Sequence, residues 1–230
     1  MTIENVLITG SKGIVGKVLV EGLSSSFNIT QADLPEIDLT DRVQVYQILA
    51  GQDAVVHLAW SKKRVINGKE IDVDDANRED FDPNNLEMAL NIYQAASDLG
   101  VKRVIMASSG QADNFLNWKG PGLMDPYTLP TPIVPYGANK VWIETVGRIF
   151  AKRGNLDIAC IRFGAVRNDN IPPIGEEHVF LSHRDCIGVV TVSLTAPTIP
   201  EHYVLFYAVS NNPGSIFDTK NSLGWKPTTS

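Results

Sequence analysis

Tyr136 and Lys140 stand four residues apart in Tyr136-Gly-Ala-Asn-Lys140, a spacing that puts both side chains on one face of a helix. An ammonium held beside a phenol lowers the phenol pKa from about 10 toward neutrality. A phenol tuned in this way works as a general base or acid. Near the start of the chain, Gly10-Ser11-Lys12-Gly13-Ile14-Val15-Gly16 follows an apolar run and opens a helical one. Such a turn suits a pyrophosphate. One glycine permits the tight bend, one lets backbone N–H groups approach the phosphate, and one lets helix and strand pack closely. The helix N-terminus then faces the negative charge. Asp33 ends the next apolar run, where a carboxylate accepts hydrogen bonds from the adenosine ribose hydroxyls and repels a 2′-phosphate. Leu34-Pro35-Glu36 brings no arginine to hold such a phosphate. These residues predict a site for NAD, in preference to NADP, with a proton-transfer pair further along the chain.

Positioning such groups takes a sheet with helices on both faces. Residues 3–9, 54–59, 103–107, 156–163 and 203–209 are short apolar runs that read as strands, and 28–32 reads as a further strand. Residues 14–23, 43–49, 84–99, 136–153 and 185–194 carry helical patterns. Alternation of the two predicts right-handed crossovers and a parallel sheet, and the near-continuous apolar strands suit a sheet covered on both sides. The predicted class is α/β, a Rossmann-type doubly wound parallel sheet with a small C-terminal substrate-binding portion. The division is residues 1–165 for NAD and the Ser/Tyr/Lys group, and 166–230 for the substrate. The polar, charged segment 60–83 and the Pro- and Gly-rich segment 110–135 read as long loops at the strand ends, where open α/β sheets bind ligands.

The composition suits a globular protein: 43% hydrophobic and 20% charged residues. A formal net charge of -6 disfavours nucleic acid and anionic membrane as partners. No apolar run reaches bilayer length and no signal peptide is visible at the N-terminus, so a cytoplasmic location is expected. Cys160 and Cys186 form no Cys-x-x-Cys pair; Cys160, in an apolar run, reads as a packing residue. His57, His178, His183 and His202 lack metal-ligand spacing, and no metal site is expected. His57 reads as a core histidine. The acidic run 72–82 reads as a solvated loop, with a substrate-ordered lid as the weaker idea.

Taken together, the glycine turn, Ser108-Ser109 and the Tyr136/Lys140 pair resemble the extended short-chain dehydrogenase/reductases, the NAD-dependent epimerase/dehydratase family. The resemblance covers nearly the whole chain. It implies that Ser109 bonds the reacting oxygen, that Tyr136 transfers the proton, and that Lys140 holds the nicotinamide ribose. Asp38-Leu39 is similar to the family's adenine contact after the third strand. Leu58, Ala59 and Trp60 are similar to the strand end flanking the cofactor, Asn85 to its helix asparagine, and Phe163 to a residue near the nicotinamide. Ser61, Ser109, Gly110, Gln111 and Tyr136 are placed around the substrate. The family also implies a homodimer through helices 84–99 and 136–153.

Among subgroups the chain looks most like uronate dehydrogenases and related short sugar dehydrogenases, through Ala107-Ser-Ser109, Arg162-Phe-Gly164, Phe180-Leu-Ser-His-Arg-Asp185 and Leu223-Gly-Trp-Lys-Pro227. It departs from them in three ways. Gly110-Gln111 replaces Asn-His. Gly175 falls where the substrate-carboxylate arginine is expected. The segment between His57 and Asn85 is longer. Arg167, His178 and Arg184 are the alternative sources of positive charge. The leading function is hydride transfer between NAD and a sugar or sugar-acid hydroxyl. A nucleotide-sugar epimerase or dehydratase and a non-catalytic NAD-binding protein are the competing readings.

Overall fold

The computed structural model describes residues 2–61, 63–66, 69–72 and 83–228. Six strands pair in parallel: β1 (Asn5–Thr9), β2 (Asn28–Ala32), β3 (Ala54–His57), β6 (Arg103–Ser109), β7 (Asp157–Phe163) and β8 (Tyr203–Ala208). Their order is β2-β1-β3-β6-β7-β8. β1 therefore has β2 on one side and β3 on the other, the arrangement that opens a crevice at the C-terminal strand ends. Register aligns Thr9 with His57 there, and Ser109 with Phe163 and Ala208.

Five helices cover this sheet. α1 (Ile14–Leu23) and α5 (His183–Thr195) share one face; α2 (Arg42–Leu49), α3 (Pro83–Leu99) and α4 (Pro135–Ala151) share the other. Alternate strand residues feed the two layers: Val6, Ile8, Val56 and Ile105 on the α1/α5 side, Leu7, Val55, Val104 and Met106 on the opposite one. Each such aliphatic contributes about 1.5–3 kcal/mol on burial. Local chemistry starts the helices. Asp41 accepts from the Val43 and Gln44 N–H groups at 2.8 and 3.3 Å to cap α2, Ser182 caps α5, and Pro135 occupies the first turn of α4, where its missing N–H is harmless.

The segment 60–83 is not wholly a loop. It contains an antiparallel hairpin of β4 (Lys63–Ile66) and β5 (Lys69–Asp72). Its charged composition hid the strands; the Asn67-Gly68 dipeptide between them was the available signal. Residues 73–82, with most of the acidic run and the lid idea, lie outside the described residues. β3 stops at His57 instead of Ala59: the Leu58 N–H is shared between the Thr9 carbonyl and hydroxyl, both at 3.2 Å, and the Ala59 N–H goes to the hydroxyl at 3.3 Å. Segment 110–135 folds back tightly: it starts with short 3-10 turns at Gly110–Ala112 and Phe115–Asn117, and Met124 exchanges backbone hydrogen bonds with Ile216 and Asp218. The C-terminal portion forms the sheet edge itself, as β8. Its last residues return to α5, where Asp185 accepts from the Thr228 N–H and hydroxyl. Among the described residues no helix is long and apolar enough to cross a membrane.

Candidate active site

A cavity of ≈ 480 Å³ runs along the C-terminal strand ends. The glycine turn forms one part of its wall. Gly10 has φ of 67°, and a Cβ there would come 2.7 Å from the Ala59 nitrogen. A Cβ on Gly16 would lie 2.2 Å from the Gly10 carbonyl oxygen. Side chains at these positions would force the turn open. Gly13, the N-cap of α1, brings no capping side chain, which suits an anion at that helix end.

Asp33 ties β2 to the turn: its Oδ2 accepts from the Lys12 N–H at 2.8 Å and its Oδ1 from the Leu34 N–H at 3.0 Å. The Lys12 ammonium pairs with Glu36 at 2.6 Å. Asp33, Asp38 and Leu39 line the cavity. Asp38-Leu39 follows β2, not the third strand as expected. Ile14, Val15, Leu58, Ala59, Trp60, Ser61 and Phe163 line it as well. Ser11, Lys12 and Asn85 do not contribute to the lining; Asn85 instead accepts from the Ser61 N–H at 2.7 Å and positions that strand exit. Sequence reasoning missed Ile37 and Met88, whose apolar side chains complete the wall and carry no motif.

Ser109, Tyr136 and Lys140 meet in the same cavity. Lys140 is buried. Its Nζ donates to the Ala107 carbonyl at 2.8 Å, and stands 3.7 Å from the Trp60 ring centroid and 5.4 Å from that of Tyr136. The Trp60 and Tyr136 rings meet edge-on at 5.0 Å. Two ring faces and one carbonyl thus fix the ammonium by cation–π attraction and a hydrogen bond. The Ser109 oxygen accepts from the Gln111 N–H at 3.1 Å, which leaves its O–H to donate. Gly137 sets the distance between α4 and the turn after β6: a Cβ there would sit 2.0 Å from the Gln111 carbonyl oxygen. Its role was not read from the sequence, because that close approach is between segments far apart in the chain.

Beyond Ser109 a second chamber of ≈ 150 Å³ opens. Ser109, Gly110 and Gln111 line it, with Phe115, Phe163, Val179, Tyr207, Val209 and Phe217 among the others. Arg167, His178 and Arg184 line neither space. Arg162 also belongs to the wall of the second chamber, and is wholly buried. Its guanidinium bonds both Glu144 oxygens at 2.8 Å, the Asp113 carboxylate and the Tyr207 oxygen. Ser108 donates to the same Glu144. One cation thus joins β6, the turn after it, α4, β7 and β8.

His57 stands at the end of β3, with its Nδ1 2.8 Å from the Thr9 hydroxyl. Burial pushes its pKa down to about 3, and the Lys140 charge pushes the same way. The unfolded chain takes up this proton near 6.5, so the stabilising effect is complete above that pH and is lost as pH falls toward 3. We expect stability to drop in this window by up to about 1.4 kcal/mol per pH unit from this residue. Urea melts of His57→Gln at pH 7 and pH 4.5 should show a flatter pH dependence; an unchanged slope would refute the assignment.

The family profile described as the NAD dependent epimerase/dehydratase family matches residues 6–167. The chain belongs to the NAD dependent epimerase/dehydratase family. Within sequence reach of this family member are an L-arabinose 1-dehydrogenase (NAD(P)(+)) of Haloferax volcanii, 25% identical over 96% of this chain and 95% of that protein, and a uronate dehydrogenase of Pseudomonas putida, 25% identical over 97% and 84%. The solved uronate dehydrogenase of Agrobacterium tumefaciens superposes with a TM-score of 0.81 at 23% identity, over 99% of this chain and 85% of that one; it shares the fold. The family's cofactor is NAD, and the residues here fit it. The glycine cradle would be filled by any Cβ, a carboxylate waits at the end of β2, and the cavity continues to the Tyr136 pair.

Proposed function

We propose that this chain is an NAD-dependent dehydrogenase that oxidises a sugar or sugar-acid hydroxyl, with Ser109, Tyr136 and Lys140 as its catalytic group. The observation that carries the reading is the convergence of these three side chains on the cavity that begins at the glycine turn. NAD, when bound, supplies the hydride acceptor. Tyr136 takes the hydroxyl proton, Ser109 donates to the reacting oxygen, and Lys140 stabilises the phenolate and meets the nicotinamide ribose. Gly10, Gly13 and Gly16 receive the pyrophosphate, and Asp33 the adenosine ribose. With Lys12 already paired to Glu36, a 2′-phosphate meets a carboxylate, which supports NAD over NADP. Residues 1–165 serve the cofactor and 166–230 shape the substrate side through Val179, Tyr207, Val209 and Phe217. The names of the relatives, arabinose and uronate dehydrogenase among them, agree with this reading. Both are matched over nearly their whole length, which supports a dehydrogenase over a nucleotide-sugar epimerase. The test is NADH formation at 340 nm across aldoses, uronates and sugar phosphates, with Tyr136→Phe as its control.

The reading includes a cytoplasmic homodimer. Two buried, unpaired cysteines suit a reducing compartment. Leu90 on α3, and Trp142 and Ile149 on α4, expose 43, 36 and 54% of their surface on one side of the molecule, enough to seed a four-helix interface. The double variant Trp142→Glu/Ile149→Lys should fall from twice to once the chain mass in light scattering. A wild type already monomeric at micromolar concentration would remove the dimer.

A further inference from the structure

We infer that the sugar this site accepts is uncharged and carries an apolar group, or none, at the ring position where a uronate bears its carboxylate. The inference rests on the dehydrogenase reading above and narrows it. The reacting carbon must lie between Ser109 and Tyr136, so the remote end of the substrate enters the second chamber, which shares Ser109, Phe163 and Gly164 with the cofactor cavity. Phe115, Phe217, Val179, Val209, Ala165 and the Tyr207 ring wall that chamber. Phe217 packs on both Phe115 and Tyr207, with centroids 5.9 and 4.9 Å apart, so this aromatic wall is held in place by its own contacts.

The charged residue among the described lining is Arg162, and its charge is already matched. Two carboxylates and a phenol hold its three nitrogens, and no part of its surface is exposed. A substrate carboxylate would have to compete with Glu144 and Asp113 for it and lose its own hydration. A phosphate faces the same obstacle with more charge. A methyl group or a hydrogen meets chiefly rings and aliphatic carbons among the described lining. Polar recognition is left to Ser109 and Gln111, next to the reacting carbon, as a sugar ring requires.

The experiment uses two series that differ at one substituent. The galacto series is galacturonate, galactose, D-fucose and L-arabinose; the gluco series is glucuronate, glucose, 6-deoxyglucose and xylose. Glucose 6-phosphate is added. In the better-used series kcat/KM should be highest for the methyl or hydrogen compound. One well-placed apolar group is worth about 10- to 200-fold, so the uronate should lag by at least about tenfold. Saturation-transfer NMR on the same sugars reads binding without turnover, and the 6-deoxy methyl signal should show the strongest transfer. Val179→Arg, at the partly exposed rim, should narrow the gap to the uronate. Preference for a uronate or for the phosphate in the wild type would overturn the inference while leaving the dehydrogenase reading intact. If no sugar reduces NAD or shows transfer, both fall.

Discussion

Tyr136→Phe should lower kcat by about 10²- to 10⁴-fold, the range expected when a positioned proton acceptor is removed, with NAD affinity changed only a few-fold. The phenol oxygen is the sole atom lost, and the ring keeps its edge-on contact with Trp60 and its place near Lys140. In the proposed site the cofactor's pyrophosphate and adenosine would be held elsewhere, at the glycine turn and Asp33, which line the same cavity. The same protein preparation should therefore quench or enhance NADH fluorescence almost normally while forming NADH hardly at all. A variant that retains a tenth or more of wild-type kcat on the best sugar would sink the proton-transfer role. Loss of NADH binding together with turnover would instead mark Tyr136 as a cofactor anchor.

Arg162→Met should destabilise the fold by about 3–5 kcal/mol, the loss expected when one partner of a buried ionic group is removed. Methionine fills much of the space, so the penalty comes from charge. Glu144 and Asp113 are both buried, and each would lose the cation that compensates it. That loss is a large part of the roughly 5–15 kcal/mol that holds a domain of this kind together. Urea titration at neutral pH measures it. Arg162→Lys should recover only part, because an ammonium cannot bond both Glu144 oxygens in the fork that the guanidinium makes. Removing the partner as well, in Arg162→Met/Glu144→Met, should cost less than the two single losses added. A single-variant loss below about 1 kcal/mol would show that the network contributes little to stability.

The parallel sheet and its helices were legible because the strands other than the mixed β2, Asn28–Ala32, are apolar runs, and the helices keep their period. The cofactor end of the site was legible for a local reason. The glycine turn and Asp33 work through backbone geometry within one β-α-β unit, so their spacing in the chain is their spacing in space. The Tyr136/Lys140 pair is local in the same sense, since one helical turn separates them.

What the chain alone left open is what forms between distant segments. Segment 60–83 contains a hairpin that its charge concealed, and Asn85 holds the Ser61 backbone instead of lining the cavity. Gly137 sits in a conspicuous motif, yet its purpose is visible only against the Gln111 carbonyl. Arg162 reads as an ordinary strand residue until Asp113, Glu144 and Tyr207 converge on it from separate elements. The sequence by itself determined the parallel sheet, the glycine turn and the Tyr136/Lys140 spacing, the residues proposed for the dinucleotide and the proton transfer, because those signals are short-range. Tertiary structure alone decided the character of the second chamber, where the substrate is proposed to sit. Its walls come from the segment after β6, from the segment after β7, from β8 and from the C-terminal tail, and no single stretch of sequence carries their shared apolar surface.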